Sequence, residues 1–265
     1  MKICNNYLTK NPCYVRNYKR TDARDIKFQE NGPQGLMLHS VGCAQPSAMA
    51  FCVRWDSSSY SRACVHAFID AHSGTIRQTL PWNYRGWHAG KNAGNNRYIG
   101  VEMCESGAIK YISGSRFIVL DSKQALRDAR TAYKAAVDLF AYLCALYEID
   151  PLKGILSHAE GHSAGVASNH GDPEHYWRGV GAPYTMDLFR ADVKRKMEDL
   201  KDARRVITPD GFLNVRKEPD ADAKIIHVLR NRQLVKVLED LPNGWCKVSK
   251  PTLNLVGYVN GKYLR

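Results

Sequence analysis

Most of the chain, up to about residue 205, mixes two hydrophobic periods. GLMLHSVG is a short apolar run that predicts a buried strand over Leu36–Leu38, closed by a turn. ACVHAFID alternates as a half-buried strand does. His72-Ser73-Gly74 then makes a turn, and TIRQTL continues as the hairpin partner. YIGVEMCE predicts another apolar strand. Asp121 or Ser122 caps a long helix, in which Ala125, Leu126, Ala132, Ala136, Leu139, Phe140, Leu143 and Leu146 recur at helical spacing to about Glu148. GILSH reads as a short strand after a Pro turn. A second helix, capped by Thr185, is expected to run to about Ala203, with charges toward its end that let it double as a linker. The first 30 residues are polar and irregular, and read as an arm laid over a core.

After Arg205 the texture changes. VITPDGFLNVR, KIIHVLR, QLVKVLED, WCKVSK and VGYVNGKYL are short β-type segments, separated by turn residues such as Pro219-Asp220 and Asn243-Gly244. Short strands with no helix between them predict a compact β-barrel. The boundary is expected between 200 and 206, giving domains of 1–202 and 203–265. The larger one mixes strands and helices in the α/β manner.

Composition narrows the class. At 44% hydrophobic and 24% charged residues over 265 positions, the balance is that of a soluble globular protein. No apolar run approaches the roughly 20 residues of a membrane span, so no membrane insertion is expected. MKICNNYLTKNPCYVRNYKR has polar residues where a signal peptide needs an apolar core, so synthesis in a cytoplasm is expected. The formal charge of +12 attracts polyanions: nucleic acid, anionic membrane, or the teichoic acids and carboxylates of a bacterial wall. The chain has no long Lys/Arg block and no nucleic-acid motif, so nucleic acid is not the expected partner. Eight cysteines are scattered without a CxxC pair, which argues against a zinc knuckle and for free thiols, with Cys104 and Cys144 buried.

Of nine histidines, several sit where chemistry is plausible, and His39 and His158, with Asp172, come first. His39 ends one apolar strand and His158 ends another, while Asp172 lies in the irregular SNHGDPEH. Two imidazoles and one carboxylate converging from different elements make a three-ligand site with a fourth place open for water, as a catalytic zinc requires. Solvent-facing or supporting histidines fit the same spacing.

The ordered set LHSVG, VHAFID, WHAG, IGVEMCE and SHAEGH…SNHGDPEH resembles the zinc amidase family of phage endolysins and peptidoglycan recognition proteins, over roughly residues 30 to 200. The resemblance implies a mixed central β-sheet flanked by helices, with one Zn2+ per chain in a cleft. It also implies hydrolysis of the amide between N-acetylmuramic acid and L-alanine of bacterial peptidoglycan. On these positions His39, His158 and Asp172 match the metal ligands, with His162 an alternative to His158. Asp172 stands where non-catalytic members usually lack a ligand. Glu102 matches the acidic residue proposed as general base; its other reading is a carboxylate paired with Arg97. His170 occupies the place of a carbonyl-polarising Lys in many relatives, a departure from their pattern. His66 and His88 match other cleft positions, and TLPWNYRGWHAG is dense enough in aromatics to make Trp82, Tyr84 and Trp87, with Trp177 further on, candidates for stacking on substrate. His72, His175 and His227 read as turn, surface or packing residues.

The C-terminal stretch, through LNVRKEP, NGWCKV and GYVNGKYL, resembles bacterial SH3-like domains. That implies wall binding, with Trp245, Tyr258 and Tyr263 as candidates for the binding face, and tethering as its physical use. The expectation is a monomeric lytic amidase that leaves the cytoplasm through a holin-type pore and acts at the wall. The competing expectation is a recognition protein that binds peptidoglycan without cutting it; zinc copurifying at one per chain discriminates the two.

Overall fold

The coordinates are a computed structural model that describes residues 1–19, 32–198, 203–231, 233–250 and 255–265. The chain divides into two compact units, one of Lys2–Lys194 and one built on Arg195–Arg265. The expected boundary falls partly on residues 199–202, outside the described ones.

In the first unit the elements are, in order, β1 (Ile3–Asn5), α1 (Pro12–Lys19), β2 (Gly35–Ser40), α2 (Ala48–Trp55), β3 (Ala67–Ile69), β4 (Ile76–Gln78), α3 (Asn92–Asn95), β5 (Tyr98–Met103), β6 (Ile109–Ser113) and β7 (Arg116–Val119). There follow α4 (Ser122–Tyr147), α5 (Pro151–Gly154), β8 (Ile155–Ser157), α6 (His158–Ser163), α7 (Glu174–Gly179) and α8 (Met186–Glu198). Six strands make one mixed sheet in the order β1-β4-β3-β5-β2-β8. Only β3 and β4 pair antiparallel; β1–β4, β3–β5, β5–β2 and β2–β8 are parallel. A parallel sheet covered on both faces needs strands that are apolar throughout. β2 fits, with Leu36, Met37 and Leu38 fully buried at its centre. Each such side chain contributes about 1.5–3 kcal/mol by leaving water.

The long helix α4 has 26 residues. Of the two caps the sequence allowed, Asp121 is the one used: its carboxylate accepts from the Gln124 N–H at 3.0 Å. Glu148 ends it in the left-handed region, φ 58°. The Thr185 hydroxyl accepts from the Leu188 N–H, as a cap of α8. That helix does not reach Ala203, which opens β9; residues 199–202 between them lie outside the described ones.

The expected irregular N-terminal arm is a correction. Its first part forms β1, which adds a parallel strand to β4, and the helix α1. Leu8, Asn11 and Cys13 are buried. Asn11 holds the segment down by donating its side-chain amide to the carbonyls of Trp55 and Tyr60, both at 3.1 Å. Long-range hydrogen bonds supply the order that the polar sequence does not signal. Residues 20–31, the rest of the arm, lie outside the described residues.

The second unit contains β9 (Ala203–Arg205), β10 (Phe212–Arg216), β11 (Ile225–Arg230), β12 (Leu234–Asp240), β13 (Trp245–Lys250) and β14 (Leu255–Asn260). They form one antiparallel sheet, ordered β11-β10-β14-β13-β12-β9. Its core is Val206, Leu213, Val215, Leu229, Val235, Cys246, Val248, Val259 and Leu264. All eight cysteines of the chain are free.

Candidate metal centre and cleft

His39 is the next-to-last residue of β2, and the register of that strand on β5 places Glu102 directly beside it. Neighbouring positions in a parallel pair point to one face of the sheet, so His39 and Glu102 share the face that opens into the cleft. On the other side of β2, β8 ends in Ser157. His158 is therefore not the last residue of a strand, as the sequence suggests, but the first of α6. A capping box holds it there. The Ser157 hydroxyl accepts from the Glu160 N–H and the Glu160 carboxylate accepts from the Ser157 N–H, both at 3.0 Å. Such a cap contributes about 1 kcal/mol. Asp172 arrives on the following loop, where its carboxylate accepts from the Ser40 N–H.

These three residues meet. His39 Nδ1 lies 3.0 Å from His158 Nδ1 and 3.2 Å from Asp172 Oδ2, and His158 Nδ1 lies 3.5 Å from Asp172 Oδ1. All three are buried. A tetrahedral zinc, with bonds of about 2.0–2.1 Å, spaces its ligand atoms about 3.3–3.4 Å apart, close to the edges of this triangle. His162, the alternative ligand, is exposed and stands outside the group.

The protons agree with a cation site. His88 Nε2 lies 2.9 Å from the Tyr98 carbonyl, to which it donates, so His88 Nδ1 carries the lone pair. His39 Nε2 at 3.0 Å then donates to that lone pair, which leaves His39 Nδ1 bare and facing His158 and Asp172. Gly100 makes room for this arrangement, because a Cβ there would sit 2.3 Å from the His88 ring. Burial works to lower His39, yet the Asp172 carboxylate, which accepts from Nδ1 when the ring is protonated, and the charges of Glu102 and Asp172 override it and leave His39 raised. Burial works to raise Asp172, but His39 and His158 hold it below the usual carboxylate range. Burial brings His158 down to about 4. His39 and Asp172 thus favour a positive charge between them, with His158 held neutral beside them. Two imidazole nitrogens with one carboxylate oxygen are the donor set that suits zinc.

Around the group opens a cleft of about 450 Å³, with Glu102, Trp87, His88, His170, His175 and Tyr111 among its walls. Burial pushes the Glu102 carboxyl up to about 8, with His39 pulling it down and Asp172 and Glu105 adding to the rise. Glu102 Oε2 is buried without a hydrogen-bond partner, so the pairing with Arg97 does not satisfy that oxygen. A buried carboxylate oxygen left open toward a cleft is costly to the fold, and groups of this kind cluster at reactive sites.

Three sequence-based expectations need correction. His66 is fully buried and both ring nitrogens are used: Nδ1 accepts from the Gly100 N–H and Nε2 donates to the Tyr84 carbonyl. Burial takes it down to about 4. It braces the sheet and is not available to substrate. Trp82 stacks along His66 at 6.5 Å and is not among the described residues of the cleft wall. Trp177 is buried in the core against Tyr133, so it does not face substrate. His88, expected as a cleft residue, lines the cleft but spends both nitrogens orienting His39.

Two features escaped sequence reading. Glu105, fully buried, accepts from the Tyr111 hydroxyl at 2.7 Å and from the Gly42 N–H, and His175 donates to that hydroxyl at 2.8 Å. Burial pushes Glu105 up to about 7. His175, read as surface or packing, is therefore part of the cleft. Ser168 touches both His158 and His170. The Tyr111–His175 contact joins residues from distant elements and so has no local signature, whereas Ser168 and His170 are neighbours on one loop that only folding brings onto His158. In the second unit Phe212, Trp245, Tyr263, Asp210, Arg216 and Lys262 line a groove of about 260 Å³; Tyr258 is not among the described residues lining it.

Comparison with known proteins places both units. The bacterial SH3 domain family matches residues 211–265. A probable endopeptidase p60 of Listeria grayi is 51% identical over 53 residues, which are 20% of this chain and 10% of that protein, so the chain spans about a tenth of the curated relative it matches. The crystal structure of the Staphylococcus aureus hydrolase AmiA in complex with its ligand is similar at TM-score 0.54 and 20% identity, covering 74% of this chain and 83% of that one, a likeness of fold. A mutant endolysin from Bacillus subtilis is similar at TM-score 0.45 and 21% identity, covering 73% of this chain and 99% of that one. The N-acetylmuramoyl-L-alanine amidase family matches residues 29–175, over half the chain and including His39, Glu102, His158, His170 and Asp172, and the chain belongs to that family.

Proposed function

We propose that the protein is a zinc-dependent N-acetylmuramoyl-L-alanine amidase, which hydrolyses the amide joining N-acetylmuramic acid to L-alanine in bacterial peptidoglycan. The observation that carries the reading is the buried triangle of His39 Nδ1, His158 Nδ1 and Asp172 beside Glu102, whose Oε2 has no partner. A recognition protein that only binds has no use for the complete trio.

His39, His158 and Asp172 would hold one zinc, which supplies Lewis acidity toward water and the scissile carbonyl. Glu102 lies one strand over from His39 on the same face, where it takes a proton from the attacking water and passes it to the leaving amine. A base with a pKa raised toward neutrality is suited to both halves of that transfer. His170, exposed at the cleft, donates to the oxyanion as the carbonyl carbon becomes tetrahedral. His88 holds the His39 ring so that its Nδ1 lone pair stays aimed inward. Trp87 offers an aromatic wall to sugar or stem-peptide atoms.

Both families imply a wall substrate, so the chain acts at the cell wall, as a monomer whose own residues complete the site. Among the described residues no helix is long and apolar enough to cross a membrane. The groove of the second unit supplies a weak further contact that raises the local concentration of the enzyme on an insoluble substrate.

The experiment is digestion of purified peptidoglycan with mass spectrometry of the soluble products, with and without a chelator. Free stem peptides beginning at L-alanine, lost on chelation and restored by zinc, are the expected result. Intact glycan–peptide units under all conditions would leave a wall-binding protein.

A further inference from the structure

We propose that Ser168 is a positioning residue that sets the tautomers of two imidazoles at once, that of His158 in the metal group and that of His170 at the cleft. The catalytic consequence rests on the amidase reading; the tautomers themselves do not.

The argument follows the protons. A neutral imidazole has one N–H and one lone pair. His158 Nδ1 faces His39 Nδ1 at 3.0 Å and the Asp172 carboxylate at 3.5 Å, so as a ligand it must present its lone pair there. The His158 proton then sits on Nε2. That nitrogen meets Ser168 Oγ at 3.2 Å and His170 Nδ1 at 3.3 Å. Its proton goes to Ser168, whose hydroxyl and backbone both offer an acceptor, while His170 Nδ1 lies just outside bonding range. A serine hydroxyl carries one proton and two lone pairs. Here Oγ accepts from His158, and its own proton has His170 Nδ1 as acceptor at 3.0 Å. The Ser168 proton points toward His170 Nδ1, so that nitrogen holds the lone pair. The proton of neutral His170 is on Nε2.

His170 lines the cleft together with Glu102 and Asp172. The relay His158 Nε2–H to Ser168 Oγ–H to His170 Nδ1 therefore ends in one N–H donor, on Nε2. Without the hydroxyl His158 keeps its bond to the Ser168 backbone, and His170 Nδ1 is left with only the 3.3 Å contact between the two rings, beyond the usual hydrogen-bond range. Either His170 tautomer is then open, and one of them offers a lone pair where the oxyanion forms.

Ser168 is seated for this task. Its N–H donates to the Ala89 carbonyl at 2.8 Å. Gly90 beside it has φ 69°, and a Cβ there would lie 2.4 Å from Ser168 Oγ. The segment that packs on Ser168 is also the one that carries His88. Each ligand imidazole thus has its own tautomer setter, His88 for His39 and Ser168 for His158, and only the second also reaches a substrate-facing group.

The test uses the full chain loaded with zinc, with 15N-labelled histidine read by long-range proton–nitrogen correlation. In the wild type His170 is expected as the Nε2–H tautomer. Ser168→Ala converts His170 to a mixture of tautomers, and Ser168→Thr, which keeps the hydroxyl, retains the wild-type pattern. On a soluble N-acetylmuramoyl peptide Ser168→Ala lowers kcat about 10- to 100-fold, the usual scale for a group one shell from a metal, with KM unchanged. Ser168→Thr recovers most of that loss. An Nδ1–H signal for His170 in the wild type overturns the proposal, and so does an unchanged His170 tautomer in Ser168→Ala. The wild-type spectrum decides even if Ser168→Ala fails to fold. The predicted tautomers in a protein that releases no stem peptide would support the assignment and remove the amidase reading alone.

Discussion

The two units bury different things. In the second, Thr208 is the one buried polar residue among those described, and the interior is otherwise aliphatic with one cysteine. The first buries His39, His66, His88, His158, Asp172 and Glu105, and leaves Glu102 with an unpartnered oxygen. An aliphatic core contributes stability by leaving water and asks for nothing more. A polar interior costs stability unless every group is paired. In the first unit His66 and His88, which brace, use both ring nitrogens, and Glu102 Oε2 is left without a partner where His39, His158 and Asp172 converge. The second unit offers its chemistry on the surface, in a groove of aromatic and charged side chains.

The sharpest break of that contrast is Asp172→Ala. Loss of one ligand removes several kcal/mol of transition-state stabilisation, which at about 1.4 kcal/mol per tenfold lowers amidase turnover by roughly 10³-fold or more. Release of stem peptides measures it, and elemental analysis should show zinc lost along with the activity. Sedimentation with cell walls through the second unit is expected to persist. Turnover near wild type would mean that the buried trio is structural.

Glu102→Gln separates holding the metal from moving the proton. Zinc is expected to remain at one per chain, while kcat falls by about 10²-fold or more, the scale of general-base loss. Equal loss of zinc and kcat would move Glu102 from proton carrier to ligand support.

A third test concerns stability in the chelated protein. Burial raises Glu105 from 4.5 to about 7, so between those values the folded state keeps a proton that the unfolded chain has released. Its contribution is fully present below pH 4.5 and is lost as pH rises to about 7, by at most about 3 kcal/mol. Glu102, raised to about 8, adds a loss of the same sign over a slightly wider window. Denaturant melts on either side of the window should show the first unit weakening with pH, and Glu105→Gln should flatten that slope. The second unit, with no such buried acid among its described residues, should not change in the same way.

The smallest effect belongs to the groove. Trp245→Ala is expected to weaken sedimentation of the full chain with cell walls by a few-fold, as befits a tether, and to leave turnover on a soluble N-acetylmuramoyl peptide unchanged. A fall on the soluble substrate would show that the two units are coupled in catalysis.

Much of this was legible in the one-dimensional pattern. The apolar run at Leu36–Leu38, the helical spacing from Ala125 to Leu146 and the short strands after Arg205 each specify an element, because burial selects residues with the period of the backbone. The motifs around His39, Glu102 and His158 marked the candidate site for the same reason, since each sits at the end of, or within, an element that its neighbours define, while Asp172 lies on a loop. Tertiary structure alone decided the rest. It opened a helix with His158 where the sequence reads a strand end, and ordered an N-terminal segment whose partners lie more than 40 residues away. It turned His66 and Trp177 inward, and gathered Glu105 with His175 and Ser168 with His158. A histidine's or tryptophan's identity is the same whether it braces or reacts. What differs is which distant groups use its nitrogens or cover its ring, and that is settled only when the chain folds.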